Sequence, residues 1–297
     1  MSAVLVLAGA TASGKSDLAI ELAQRFDAEI VGADARQIYR GMPIGTAVPT
    51  PAQRAVVPHH LVEFLDPNQR YSAARFAQDA TAAIEAIHAR GKRAIVVGGT
   101  GFYIRALTGG VELAREYDPR LRERLALEAH IHDAAFLHGW LAQRDARRAA
   151  AIDPNDRYRV LRALEVALTR REPGAVPDIL RSLASTGIKF AKVALDVPLV
   201  EIDARIERRT DAMLSGGLLE EAQRVGAAAA AADAVGYPQA LGYLRGWSTF
   251  PELRASLARA TRRYARRQRA WLRAEPGIRW LAPSDVAASA REMLGWV

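Results

Sequence analysis

The sequence of 297 residues contains no cysteine, only four lysines and no long apolar run. The absence of cysteine excludes a disulfide framework, a thiolate zinc site and a cysteine nucleophile. No stretch reaches the roughly 20 apolar residues of a membrane helix. The apolar N-terminus, Met1 to Ala12, lacks the basic residues that begin a secretory signal. We therefore expect a soluble, cytoplasmic protein with no membrane partner.

The composition that remains is that of a folded globular protein. Half of the residues are hydrophobic and 25% are charged, which excludes disordered and fibrous chains. The length allows one large domain or a core with a smaller lobe. The 41 basic and 33 acidic residues give a net charge of +8, which favours an acidic partner such as nucleic acid or a phosphorylated substrate. A coding bias towards arginine would explain the same excess.

Strand and helix patterns alternate over the first hundred residues. Short continuous apolar runs that end at glycine or aspartate are typical of buried parallel strands. The predicted strands are Val4–Ala8, Ala28–Ala33 and Ala94–Val97, and the predicted helices are Lys15–Arg25 and the segment that Ser72 begins and Gly91 ends. This βαβ alternation predicts an α/β fold, a parallel-sheet core flanked by helices.

The pattern changes between residues 112 and 186, where the chain is arginine-rich and helical in spacing. We interpret this segment as a mainly helical insertion domain. Strand patterns return at Phe190–Leu195 and at Ile278–Leu281, so that residues 1–111 and 187–297 are expected to form the core.

The strongest motif is a P-loop that directly follows the first predicted strand. Its residues, Gly9-Ala10-Thr11-Ala12-Ser13-Gly14-Lys15-Ser16, fit the pattern G-x-x-x-x-G-K-[ST]. Backbone N–H groups of such a loop surround phosphate oxygens, the lysine adds a positive charge, and the serine hydroxyl reaches a phosphate-bound Mg²⁺. The motif predicts a diphosphate or triphosphate ligand without deciding which.

Two further sites lie where strands end. Phosphoryl-transfer enzymes with a P-loop usually hold Mg²⁺ with an aspartate at a strand end, but the strand Ala94–Val97 runs into Gly98-Gly99-Thr100-Gly101. Asp34 instead ends the second strand, where a carboxylate is suited to accept a proton from a substrate. A turn or helix-cap role for Asp34, and a plain strand-to-helix turn at the glycines, stay open.

The basic charge is concentrated near the C-terminus. Arg254 to Arg273 contains eight arginines and no carboxylate, a charge equal to that of the whole chain. Leu257, Tyr264 and Trp271 recur every seven residues and predict a helix with one apolar seam and arginines over the rest of its surface. A run of one sign attracts phosphates, and we expect Arg157, Arg159 and Arg162 to extend this surface.

Together these motifs resemble the tRNA dimethylallyltransferase family, also called tRNA isopentenyltransferases. Besides the P-loop, the resemblance includes Asp34, Gln37-Ile38-Tyr39, Gly41–Ala47, Tyr71–Ala74 with Phe76 and Asp79-Ala80, Val97–Tyr103, Asp153–Asp156, Arg162–Val166, Val235–Tyr237, Arg266-Arg267-Gln268 and Trp271-Leu272-Arg273. The order and spacing of these motifs, rather than any single one, make the resemblance specific.

The resemblance implies transfer of a dimethylallyl group from its diphosphate to N6 of the adenosine at tRNA position 37, next to the anticodon. It implies that Gly9–Ser16 grip the diphosphate as a leaving group, with Mg²⁺ at Ser16. It further implies that Asp34 is the general base and that Thr100 lies at the reacting centre. The substrates implied are the tRNA anticodon stem-loop and dimethylallyl diphosphate, and the enzyme is expected to be a monomer.

The same resemblance supplies the positions that meet tRNA. They are Asp34, Ala35, Arg36, Gln37, Thr100, Arg122, Arg159, Arg162, Gly236, Tyr237, Arg266 and Arg267. The chain departs from the family pattern at four positions: Ala10 replaces a usual proline, Ala35 a serine, Val48 a lysine and Pro238 a basic residue. None of these departures changes Lys15, Ser16, Asp34 or Thr100.

Two other functions compete with this interpretation. A P-loop kinase would use Asp34 to activate an acceptor hydroxyl, although the carboxylate expected after Val97 is missing. A noncatalytic RNA-binding protein would use the P-loop and the arginines, but Asp34 and Thr100 would have no purpose in it.

Overall fold

The computed structural model describes residues 3–110, 118–169, 181–227, 229, 231 and 233–297. Its central sheet has six parallel strands in the order β3-β2-β4-β1-β5-β6. The strands are β1 (Ala3–Ala8), β2 (Ala28–Gly32), β3 (His59–His60), β4 (Arg93–Gly98), β5 (Lys189–Leu195) and β6 (Ile278–Leu281). The parallel α/β sheet that the sequence predicts is confirmed.

Helices connect the strands. Before β5 they are α1 (Lys15–Arg25), α2 (Pro43–Thr46), α3 (Pro51–Val56), α4 (Ala73–Ala89), α5 (Gly101–Leu107), α6 (Pro119–Ile131), α7 (Ala134–Arg144), α8 (Ala146–Ala150), α9 (Arg157–Thr169) and α10 (Leu183–Thr186). After β5 they are α11 (Leu199–Ser215), α12 (Leu218–Val225), α13 (Tyr237–Leu244), α14 (Phe250–Arg273) and α15 (Val286–Leu294), with a 3₁₀ turn at Pro283–Asp285. No helix in the described part of the chain is long and apolar enough to cross a membrane.

Strand β1 lies in the middle of the sheet, between β4 and β5, and all six of its residues are buried. Its register places Leu5 beside Ile95 of β4 and Ala191 of β5. Because the strand order reverses around β1, a crevice opens at its carboxyl end. The loop between β1 and α1 therefore lies where an open α/β sheet binds ligands.

Several elements have the predicted positions. Helix α1 has the predicted bounds, and α4 begins after Ser72, whose hydroxyl accepts the Arg75 N–H. Strand β2 ends at Gly32, one residue before the predicted end. The sequence analysis missed β3, because a strand of two residues is too short to show an alternating pattern.

Contacts between residues divide the chain into two units. The first comprises Met1–Val111 and Arg181–Val297, and the second is Glu112–Leu180. In the first unit, Leu7, Leu22 and Phe26 belong to a buried core that closes against Trp296, whose ring lies 5.3 Å from that of Phe26. Each fully buried side chain of this size contributes roughly 1.5–3 kcal/mol of transfer free energy.

The second unit has a separate hydrophobic core. Its buried side chains include Leu125 of α6, Leu137 and Leu141 of α7, and Val160 and Leu164 of α9. The first unit resumes at Arg181, earlier than the sequence-based boundary at residue 186, because α10 contacts β5.

Candidate active site

The P-loop curls between β1 and α1. Ala12 and Gly14 adopt left-handed backbone conformations, with φ of 63° and 84°, and the Ser13 N–H donates to the Ala10 carbonyl at 3.2 Å. A Cβ atom on Gly9 would lie 2.6 Å from the Ser13 hydroxyl, so the loop closes tightly only around glycine. Helix α1 begins at Lys15, within the last two residues of the motif, and its N-terminal N–H groups and dipole favour an anion at this place.

Lys15 lies at the centre of the phosphate site. Its ammonium donates to the Ala10 carbonyl at 3.4 Å. Burial of the ammonium lowers the pKa of Lys15 from 10.5 to about 8; Asp34 opposes the change, and Arg209 adds to it by repulsion. The site is therefore short of negative charge, which a bound diphosphate would supply.

We expect this pKa to be directly measurable. In the free protein Lys15 should lose its proton near pH 8, and bound diphosphate should raise that midpoint because an anion favours the charged ammonium. Only four lysines are present, so ¹³C NMR of labelled lysine side chains resolves the titration and Lys15→Met assigns it. A midpoint near 10.5 in the free protein would contradict the geometry of the site.

Helix α11 brings two arginines to the P-loop that the sequence analysis did not single out. Arg209 donates to the Thr11 hydroxyl at 3.2 Å, and Arg205 contacts the Ala12 carbonyl at 3.5 Å. Burial lowers the pKa of Arg209, while the negative charge of Asp34 opposes this. The Nε atom of Arg209 is buried without a hydrogen-bond partner in the described structure. A buried, unpaired donor at this place is suited to a phosphate oxygen.

Gln268 of α14 links the P-loop to the turn after β4. Its Oε1 accepts the Thr11 N–H at 2.8 Å, and its Nε2 donates to the Gly99 carbonyl at 2.9 Å. The side chain is almost fully buried. One amide group thus satisfies a donor of the P-loop and an acceptor of the turn.

Replacing Gln268 with methionine should disturb the P-loop in particular. The change leaves the Thr11 N–H and the Gly99 carbonyl unpaired, at a cost of roughly 1–3 kcal/mol for each buried group. We expect a lower free energy of unfolding and weaker diphosphate binding, measured by denaturant titration and calorimetry. Gln268→Glu, which keeps the acceptor for Thr11, should bind diphosphate better than Gln268→Met, and equal affinity of the two variants would contradict the role of this hydrogen bond.

Three glycines at the end of β4 and in the turn after it allow other parts of the chain to lie very close to their backbone. A Cβ atom on Gly98 would lie 2.0 Å from the Ala33 carbonyl oxygen, one on Gly99 2.2 Å from the Gln268 amide nitrogen, and one on Gly101 1.9 Å from the Trp271 ring. The turn therefore packs against both β2 and α14. Between the two alternatives left open by the sequence, the geometry favours close approach over a plain turn.

Asp34 follows the end of β2 and Thr100 follows the end of β4, and the two residues lie next to each other. The Asp34 Oδ1 atom accepts the Arg36 N–H at 2.9 Å, as in an Asx turn, and Oδ2 has no hydrogen-bond partner among the described residues. The Thr100 hydroxyl accepts the Ala35 N–H at 3.0 Å. The turn role and the proton-acceptor role of Asp34 are thus compatible, because each uses a different oxygen.

Tyr264 of α14 lies near Asp34 and Thr100. Its side chain lies near Thr100, and burial together with the charge of Asp34 raises the pKa of its hydroxyl to about 12. The sequence analysis took Tyr264 only as part of an apolar seam. Its spacing gives no signal of this contact, which depends on how α14 packs.

One pocket brings together several predicted residues. Lys15, Ser16, Asp34 and Gln37 line it, along with the apolar side chains of Ala19, Ile30, Pro49, Val62 and Val97. Gln37 donates to the Thr46 and Ala47 carbonyls at 3.2 and 2.8 Å, which holds its side chain. The pocket thus has both charged and apolar lining residues, the combination that a ligand with a phosphate end and a hydrocarbon end requires.

The other predicted RNA-binding residues have varied surroundings. Arg36 is paired with Asp233 at 2.7 Å, and Gly236 has a φ of 110° before α13. The Tyr237 side chain is fully buried and donates to Glu221 at 2.8 Å, so in this structure it cannot touch RNA. Within the second unit, Arg122 lies on α6 and Arg159 and Arg162 lie on α9.

The arginine helix is less uniform than the sequence predicts. Arg254, Arg262, Arg266 and Arg269 have carboxylate partners: Asp211 for Arg254, Glu207 for Arg262, Asp203 for Arg266 at 3.8 Å, and Asp196 for Arg269 at 2.7 Å. Four of the eight arginines between Arg254 and Arg273 thus have carboxylate partners from outside the helix. A charge count along one segment cannot show that acidic residues of α11 pack beside it.

Comparisons with known proteins show the family of this chain. The family model for IPP transferase matches residues 37–275, and the model for isopentenyl transferase matches residues 2–59. A tRNA dimethylallyltransferase from Anaeromyxobacter dehalogenans is 46% identical over 98% of both chains, and one from Geobacter sulfurreducens is 40% identical over 94% of this chain and 91% of its own.

Solved structures show the same relationship. The full-length tRNA isopentenylpyrophosphate transferase from Bacillus halodurans is 31% identical with a TM-score of 0.71, over 99% of this chain and 96% of its own. A eukaryotic dimethylallyltransferase acting on tRNA has a TM-score of 0.77 at 26% identity, over 99% of this chain and 77% of its own. The sheet, the P-loop and the relatives together show that this chain belongs to the IPP transferase family.

Proposed function

We propose that the protein transfers a dimethylallyl group from dimethylallyl diphosphate to N6 of the adenosine at tRNA position 37, with release of diphosphate. The observation that carries the proposal is that a phosphate-binding Lys15 and a carboxylate, Asp34, line one pocket with apolar walls. The names of the relatives supply the substrate class, since they are tRNA dimethylallyltransferases.

The proposed reaction is a displacement at carbon. The N6 nitrogen of the adenine attacks C1 of the dimethylallyl group, the bond from C1 to the diphosphate oxygen breaks, and its electron pair leaves with the diphosphate. The nitrogen then carries one proton too many, and Asp34 accepts it. The free Oδ2 atom is suited to this step, because Oδ1 is held by the Arg36 N–H.

The leaving group needs positive charge as its bond breaks. The proposed sources of this charge are Lys15, the N–H groups of Gly9–Ser16 and the unpaired Nε of Arg209. Donors that are already in place when charge develops lower the barrier without a cost of reorganisation. Gln268 keeps the loop in this shape by holding its Thr11 end.

Mg²⁺ belongs to the proposal as the cofactor. Ser16 follows the P-loop lysine and lines the same pocket as Asp34, so the oxygen donors that Mg²⁺ prefers are present. Ser16 would hold the ion, which supplies charge neutralisation for the diphosphate when bound. The described residues contain no cluster of three or more His, Cys, Asp or Glu side chains for a metal.

The RNA side of the proposal uses the remaining predicted residues. Two groups of residues are proposed to contact the anticodon stem-loop. In the first unit they are Asp34, Ala35, Arg36, Gln37, Thr100, Gly236, Arg266 and Arg267, and in the second unit they are Arg122, Arg159 and Arg162. An adenine must leave its stack to reach the pocket, at a cost of a few kcal/mol that these contacts offset. A cytoplasmic, monomeric enzyme with the second unit as an RNA-binding insertion is part of the same proposal.

One assay tests the function against its alternatives. The protein is incubated with Mg²⁺, unmodified tRNA and labelled dimethylallyl diphosphate, and separately with labelled ATP and tRNA. We expect label from the first donor in tRNA, lost when the target adenosine is replaced by guanosine. Phosphate transfer from ATP without prenyl transfer would instead support a kinase, and RNA binding without either reaction would support the noncatalytic alternative.

A further inference from the structure

The outer face of α14 carries a row of unneutralised arginines. Arg259, Arg263 and Arg267 lie at positions i, i+4 and i+8, and all three are exposed. Four residues advance a helix by about 6 Å, so their attachment points follow one another along the same side. Arg259 and Arg263 are not among the site residues that the sequence predicts.

The row differs from the other arginines of the same helix. Four other arginines of α14 pair with carboxylates of α11 or of the segment just before it. These are Arg254, Arg262, Arg266 and Arg269, which pair with Asp211, Glu207, Asp203 and Asp196 respectively. In the described part of the chain, no carboxylate lies within 4 Å of Arg259, Arg263 or Arg267. Like charges at i and i+4 destabilise a helix, and no ion pair with a described carboxylate relieves this repulsion.

The row leads to the active site. Its C-terminal member, Arg267, lies 5.9 Å from the centre of the Tyr264 ring. Tyr264 lies near Thr100, and burial and the charge of Asp34 raise the pKa of its hydroxyl. A chain that follows the row from Arg259 to Arg267 therefore arrives beside the carboxylate that is proposed to take the proton.

We propose that Arg259 and Arg263 extend the contact of Arg267 into a track for the phosphates of the RNA strand that carries the target adenosine. The inference rests on the proposed function and specifies which arginines of α14 bind the backbone. Guanidinium groups bind phosphate oxygens through two parallel N–H donors, which a row of arginines offers repeatedly. Arg254, Arg262 and Arg269 of the same helix take no part, because carboxylates neutralise their charges.

The test compares arginines of the same helix. Arg259→Gln and Arg263→Gln are measured against Arg254→Gln, which removes the same charge but lies on the neutralised side. Each row variant should weaken tRNA binding about threefold to tenfold and flatten the dependence of log Kd on log salt by about 0.7–0.9, the loss of one phosphate contact. Arg254→Gln should keep the slope of the unchanged protein.

The outcomes separate the two proposals. The KM for tRNA should rise in the row variants while the KM for dimethylallyl diphosphate stays constant. If Arg259→Gln and Arg263→Gln keep the salt slope of the unchanged protein, or lose no more of it than Arg254→Gln, the phosphate track is overturned. Failure of the unchanged protein to prenylate tRNA overturns the proposed function instead, whatever the slopes are.

Discussion

Asp34→Asn should reduce the turnover of prenyl transfer by about two to four orders of magnitude, the range for loss of a general base. The amide keeps an oxygen for the Arg36 N–H, so the turn after β2 survives the change. It cannot take a proton from the attacking nitrogen. Single-turnover transfer of labelled prenyl group to tRNA measures the effect, and the affinities for tRNA and diphosphate should stay nearly constant.

Asp233→Asn is the matched control. This exposed aspartate pairs with Arg36, two residues after Asp34, at 2.7 Å. Losing it removes a carboxylate from the same neighbourhood without touching the proposed base, and an exposed ion pair contributes only about 0–1 kcal/mol. If Asp34→Asn turned over as fast as Asp233→Asn, Asp34 would have no part in proton transfer.

Lys15→Met should have the second largest effect. Methionine fills the space of the lysine stem but removes the charge that faces the diphosphate, and loss of one such stabilising group typically slows an enzyme by about 10²–10³. Because the charge matters most when the leaving group develops its own, we expect the main loss in kcat. Arg209 and the loop N–H groups remain, so diphosphate still binds.

The control for this variant is another lysine. Lys92 pairs with Asp27 at 2.5 Å on the surface, and Lys92→Met should leave turnover unchanged. The comparison separates the loss of any positive charge from the loss of this one. A kcat for Lys15→Met within a few fold of the Lys92→Met value would show that the P-loop lysine does not stabilise the leaving group.

Local patterns were enough to predict the scaffold of the site. The run from Val4 to Ala8 is apolar on both faces, which only a central parallel strand requires, and the following loop has the glycines and lysine of a P-loop. Asp34 was expected at a strand end and lies two residues after the end of β2. These features depend on residues close in the chain, so their spacing reveals them.

Long-range packing decided which residues surround that scaffold. Gln268 holds Thr11 across 257 positions of sequence, and Arg209 reaches the same residue from 198 positions away. No periodicity connects residues so far apart. The same reason hid the neutralisation of the arginine helix, which depends on the neighbouring helix α11.

By itself, then, the sequence determined a parallel α/β fold with a P-loop, a carboxylate at a strand end and an excess of arginine near the C-terminus. Only the tertiary structure decided that Arg209 and Gln268 contact the P-loop, that Tyr237 is buried, and that one row of arginines on α14 has no carboxylate partner among the described residues. The first group follows from backbone geometry and local spacing. The second follows from which surfaces meet when helices pack, because burial and ion pairing are properties of neighbours in space.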